Sequence, residues 1–349
     1  MHNWARHITL CVALLLVGCT NLGYYAQAVG GHFKIMRSAH PIQEILQNSA
    51  TDTDLRKKLE EVYAVREFAS RELALPDNKS YRSYADLGQP FVVWNVFAAP
   101  QLSVGLEKWC MIFIGCVNYR GYFDRAEAER YASELRNQGL DTYVGGVTAY
   151  STLGFFNDPM LNTFLQLGNM ETAHIVFHEL SHQLLYVNDD TEFNESFATT
   201  VENEGMLRWL AHAANPAQQQ AYTARQQRKL LFAQLVARYR EKLRALYATP
   251  QTADEKQRTK TKIMADLRQD YIELKADWGG DTSYDKWFAQ DLNNAKLASF
   301  TLYTQLVPAF EALLAQEGHN LPRFYRRVSE LARLSKAERT AALEPEKSI

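Results

Sequence analysis

The segment His178-Glu179-Leu180-Ser181-His182 sets two imidazoles four positions apart, with a carboxylate beside the first. On an α-helix, positions i and i+4 share one face, one turn apart. Both rings can then converge on one metal ion, and Glu179 can reach a water that the ion polarises. Zinc lowers the pKa of such a water toward about 7, which makes hydroxide available at neutral pH. From Thr172 to Val187 the chain carries no helix breaker, and the immediate flanks of the motif are uncharged and mostly apolar, as a buried helix requires.

A candidate third ligand follows on a second helix. Asp190 or Thr191 is a good N-cap, and Phe193-Asn194-Glu195-Ser196-Phe197-Ala198 continues helically behind it. An Asn-Glu-x-x-Ala segment after the first motif resembles the glutamate-ligand zincins, the gluzincins, and by that resemblance Glu195 completes a His178, His182, Glu195 zinc set. Twelve residues separate His182 from Glu195, so Tyr186 to Asp190 makes a tight turn between antiparallel helices. Asp189, Asp190 and Glu192 are alternatives in or beside that turn. His174 continues the histidine row, but eight residues rise about 12 Å, too far for one ion to hold both end histidines; a packed or supporting role is expected. Glu202, two turns after Glu195, can orient or shape the site, and Thr199 can bond a ligand histidine's free N–H. The run from Val144 to Gly154 has two readings: an edge strand that pairs with an extended peptide, or an ordinary strand and turn. Within it, Tyr150 is a candidate phenol donor to a reacting carbonyl, with Tyr303 as the alternative.

These residues need a scaffold, and the 349-residue chain is long enough for about two domains. Residues 19–80 have helical spacing, with a helix capped by Thr51 or Thr53. Residues 81–123 are rich in strand signals at Phe91–Phe97, Leu102–Val104 and Met111–Val117. A helix from Arg125 to Gln138, stopped by Gly139, precedes a strand over Asp141–Val147. The chain beyond residue 213 is almost wholly helical. The expected class is α+β: a small β-rich module ahead of the motif helix, within a catalytic module at 81–212, and a helical module at 213–349.

Lys and Arg total 38 against 40 Asp and Glu, so no bulk basic charge exists to grip nucleic acid. At the N-terminus, Arg6 precedes ten apolar residues, Ile8 to Val17, and then Gly18-Cys19. Ten residues make only about 15 Å of helix, too short to span a bilayer. This has the shape of a secretory signal, and Leu16-Val17-Gly18-Cys19 resembles a bacterial lipobox. Residues 1–18 are then expected to be removed, Cys19 to carry lipid, and the chain to face the periplasm, at the outer membrane by the residue after Cys19. Cys110 and Cys116 remain in an oxidising compartment, which favours a disulfide over a redox or metal pair.

Several segments together resemble the bacterial predicted-aminopeptidase lipoprotein family: Lys108-Trp109-Cys110, Gly115–Phe123, Ala149–Gly154, Phe177–Gln183 and Phe193–Ala198. The resemblance implies a zincin fold and zinc-dependent hydrolysis of peptides, with a peptide as substrate and the membrane reached through the N-terminal lipid. No Gly-x-Met-Glu-Asn segment is present, so an endopeptidase with the same site stays open beside an aminopeptidase, as does a non-catalytic envelope scaffold.

Overall fold

The structure is a computed structural model that describes residues 23–111, 115–188, 190–212, 216–300 and 306–343. It is α+β and 63% helical, with small sheets. The lipobox, Cys19, Asp189 and Tyr303 lie outside the described residues. Among the described residues, no helix is long and apolar enough to cross a membrane.

Helix α1 covers residues 23–38. A short strand β1 (His40–Pro41) leads into α2 (Ile42–Gln47) and α3 (Thr53–Arg71). The cap of α3 is Asp52, between the two threonines expected there: its carboxylate accepts from the N–H groups of Asp54 and Leu55. A carboxylate at that position also complements the positive end of the helix dipole.

The β-rich part follows as β2 (Ser83–Ala85), β3 (Val93–Pro100), β4 (Trp109–Met111), β5 (Gly115–Val117) and β6 (Arg120–Tyr122), then α4 (Arg125–Asn137) and β7 (Leu140–Val147). The main sheet has the order β6-β3-β7 and is antiparallel, with β3 central and β7 at an edge. Val96, Ala98 and Tyr122 of the sheet share a core with Ala128, Ala132 and Leu135 of α4. The strand expected over Leu102–Val104 is instead a turn, in which Ser103 N–H donates to the Pro100 carbonyl at 3.1 Å. The run expected as one strand over Met111–Val117 contributes to a hairpin, β4 against β5. Its register sets Cys110 opposite Cys116, and a disulfide joins them with Cα atoms 3.9 Å apart.

Strand β8 (Met160–Leu161) lies parallel to β2 and delivers the chain to α5 (Asn162–Leu165) and then α6 (Asn169–Leu184) and α7 (Thr191–His212). The helices α8 (Pro216–Tyr247), α9 (Ala253–Asp277), α10 (Asp285–Phe288), α11 (Asn294–Ser299), α12 (Val307–Gln316), α13 (Leu321–Ala332) and α14 (Lys336–Leu343) complete the fold. The largest apolar core joins Leu59 and Val62 of α3, Phe177 of α6, Phe197 of α7, Phe310 of α12 and Phe324 of α13. The early helices, the motif helices and the final helices thus share one interior. Close packing of α7 on α6 needs Gly205: a Cβ there would stand 2.7 Å from Leu73 and 2.9 Å from Phe177.

Candidate functional site

Helix α6 buries Ala173, Val176, Phe177 and Leu180 on its core side, which turns His174, His178 and His182 toward α7. The turn into α7 is fixed by Asn194. Its buried amide accepts from Val187 N–H at 2.8 Å and donates to the Val187 carbonyl at 2.7 Å. That pair of hydrogen bonds sets the first turn of α7 and with it Glu195, the next residue.

His178, His182 and Glu195 come together. His178 Nε2 lies 3.1 Å from His182 Nε2 and 3.3 Å from a Glu195 oxygen, and His182 Nε2 lies 3.6 Å from the other oxygen. Ligands about 2.0–2.1 Å from a tetrahedral ion stand about 3.3 Å apart. The three spacings bracket that value, so this donor set fits a metal ion in both chemistry and size. His182 is buried and its pKa is pushed down to about 4, first by burial and then by His178. For Glu195, burial works toward a higher pKa, but the bond to His178 and the charges of both histidines hold the carboxyl below its usual range.

Glu202 supports this group from behind. It is buried, and one oxygen accepts from His178 Nδ1 at 2.8 Å while the other bonds His174 Nδ1. Burial opposes its charge, yet the two histidines hold its pKa well below the carboxylate range. A carboxylate on Nδ1 fixes the tautomer that leaves Nε2 of His178 free to ligate. The bond expected from Thr199 is therefore supplied by Glu202, and His174 is a partner of that carboxylate. His174 is held in turn by Gln226 at 3.3 Å and by the ring of Tyr222.

Glu179 faces the same cleft. Burial raises its pKa, with the charge of Glu195 adding to the effect, while His178 and a hydrogen bond from Ser151 work against it. Ser151 lies in the loop after β7, and Tyr81, buried at a φ of 62°, is close enough for Glu179 to raise its phenol pKa. Tyr150 is placed differently from the expected carbonyl donor. Its hydroxyl pairs with His32 Nδ1 at 3.4 Å, its ring packs on Phe123, and the neighbouring Ser151 is the residue that meets Glu179. Asp190 is no free ligand either. Its carboxylate is held by Arg339 through bonds of 2.8 and 3.1 Å.

The residues that sequence reasoning missed are Asn194, Ser151 and the α8 wall of the cleft. A cavity of about 400 Å³ opens beside His178 and Glu179 and is walled on α8 by Arg225, Gln226, Arg228 and Lys229. Contacts from α8 to α6 span about fifty residues and have no periodic trace in the sequence. The strand β7 ends at Val147 and pairs with β3 along its whole length, so the segment beyond it is a loop, with Gly154 packed on Gln183 of α6.

Two imidazoles and a carboxylate gathered within 4.8 Å, with a second carboxylate beside them, define a protein able to hold a metal ion in a cleft. The chain belongs to the family described as "Putative aminopeptidase", which matches residues 23–343. No curated protein and no solved structure matches it. The family suggests peptidase activity and a peptide substrate.

Proposed function

We propose that the protein is a zinc-dependent peptidase of zincin type, gluzincin-like in its ligands, anchored to the bacterial envelope by lipid on Cys19 and facing the periplasm from the outer membrane. The observation that carries this reading is the spacing of His178, His182 and Glu195, which suits tetrahedral zinc. When bound, the ion supplies Lewis-acid polarisation of water and of the scissile carbonyl. Glu179 takes the proton of the attacking water and returns it to the leaving amine. Its burial-raised pKa brings it closer to the working pH, which favours both transfers. Ser151 orients that carboxylate, and Glu202, itself fixed by His174, orients His178.

The test is metal content with turnover. Wild type should carry about one zinc and hydrolyse short peptides. Glu179→Gln should keep the metal and lose about 10²–10⁴-fold in rate, and Glu195→Ala should lose the metal. Undiminished hydrolysis by Glu179→Gln would sink the mechanism. Aminopeptidase action, which the family description favours, should vanish on peptides with acetylated N-termini; retained cleavage marks an endopeptidase.

A further inference from the structure

We propose that the cavity beside Glu179 recognises a carboxylate of the substrate, bound by Lys229 with Arg225 and Arg228 around it. This rests on the peptidase reading above and names the substrate class for that site. Residues 225, 228 and 229 fall at i, i+3 and i+4 on α8, so they share one face, and all three line the cavity that also contains His178 and Glu179.

The charges of this cavity are largely accounted for. Arg225 pairs with Glu171 at 2.6 Å and Arg228 with Asp281 at 3.3 Å. Glu202 is engaged by two histidines. Lys229 has no carboxylate partner among the described residues, and its side chain is exposed at the cavity wall. Apart from Glu179, the carboxylates that line the cavity are already bonded, so none is spare to hold a substrate amine on this side. One ammonium is uncompensated, with two guanidiniums within a turn of it. That arrangement suits an anion, and charge-assisted bonds to a carboxylate are among the stronger ones. A volume of about 400 Å³ holds only a small part of a peptide. The carboxylate must therefore sit within about one or two residues of the bond placed at Glu179, as a free C-terminus or as an Asp or Glu side chain. The peptide then runs with its carboxylate-bearing part toward α8 and its amino end away from it.

The test uses metal-loaded Glu179→Gln protein and calorimetric binding of two peptide pairs. One pair is a neutral tripeptide as free acid and as carboxamide. The other is an amidated tripeptide with Asp or with Asn after the scissile position. In at least one pair the acid should bind about 10-fold tighter or more, as expected for one charge-assisted contact. Adding Lys229→Gln should remove most of that preference, whereas Lys262→Gln, at an exposed position on α9, should leave it intact. The pair that shows the preference identifies the source of the carboxylate. Equal binding within both pairs, no binding of any peptide, or a preference untouched by Lys229→Gln overturns the proposal. Turnover of the same peptides by wild type separates the two readings. Hydrolysis without charge preference removes the carboxylate site and leaves the peptidase. Charge-selective binding without hydrolysis does the reverse.

Discussion

Two antiparallel helix pairs, α8–α9 and α6–α7, bury polar atoms to opposite ends. Between α8 and α9, Leu235, Val236 and Leu243 meet Met264 and Leu267, and two buried tyrosines find carboxylates. Tyr239 donates to Asp270 at 2.7 Å, and Tyr271 to Asp285 at 2.6 Å. Even the two buried lysines nearby are closed off. Lys260 pairs with Asp141 at 2.6 Å, and Lys296 donates to Gln290 at 3.0 Å and to the Trp287 carbonyl. Between α6 and α7, two ring nitrogens face each other at 3.1 Å, while the buried Nδ1 of His182 has no hydrogen-bond partner among the described residues. Buried polar groups are ordinarily satisfied. Tyrosines and lysines that meet acceptors serve as scaffold, whereas ring nitrogens and a carboxylate that converge on one point can hold an ion.

The contrast can be broken by substitution. Leu243→Ala, deep between α8 and α9, should cost about 2–5 kcal/mol in a denaturation experiment and leave metal content unchanged. A loss of metal there would mean that the two pairs are not energetically separate. Glu202→Gln should do the opposite. Because it weakens the hold on His178 Nδ1, metal affinity should fall about 10–100-fold in a chelator competition with the unfolding transition still cooperative. The smallest effect concerns pH. Burial lowers the Lys296 pKa to about 8 from its ordinary 10.5. Between those values the unfolded chain holds a proton that the folded chain has released, so this lysine makes stability rise with pH across the window. The stability difference between wild type and Lys296→Met should therefore move in favour of wild type from pH 8 to pH 10. A pH-independent difference would show that Lys296 stays charged in the folded state.

The centre of the site was legible because its logic is local. His178 and His182 are one helical turn apart, so periodicity brings them near, while Glu195, just behind a short turn, was picked out by the resemblance to the gluzincins. Glu202 was half legible: its place two turns along α7 marked the right face, but only the structure shows it bonded to both His174 and His178. Ser151 could not be read, since it meets Glu179 through an irregular loop, and the hydroxyl next to it, on Tyr150, was the more suggestive one. The strand at Leu102–Val104 failed for a related reason. Its apolar residues suit a strand, but the Pro100 carbonyl already accepts from Ser103 and turns the chain. The α8 cations could not be placed at the cleft, because nothing in their spacing tells which helix stands opposite.

The bond between Asp190 and Arg339 ties the start of α7 to α14, across 149 residues of sequence. Arg339 is itself buried and lies over the ring of Phe193, two residues before Glu195. Synthesis proceeds from the N-terminus, so every residue of the metal set exists long before its clamp does. A nascent chain can form α6 and α7 early, with Asn194 setting the turn between them, and gains the clamp on Asp190 only when α14 has been made and docked. The site is thus reinforced late, by a helix made after every residue that it steadies.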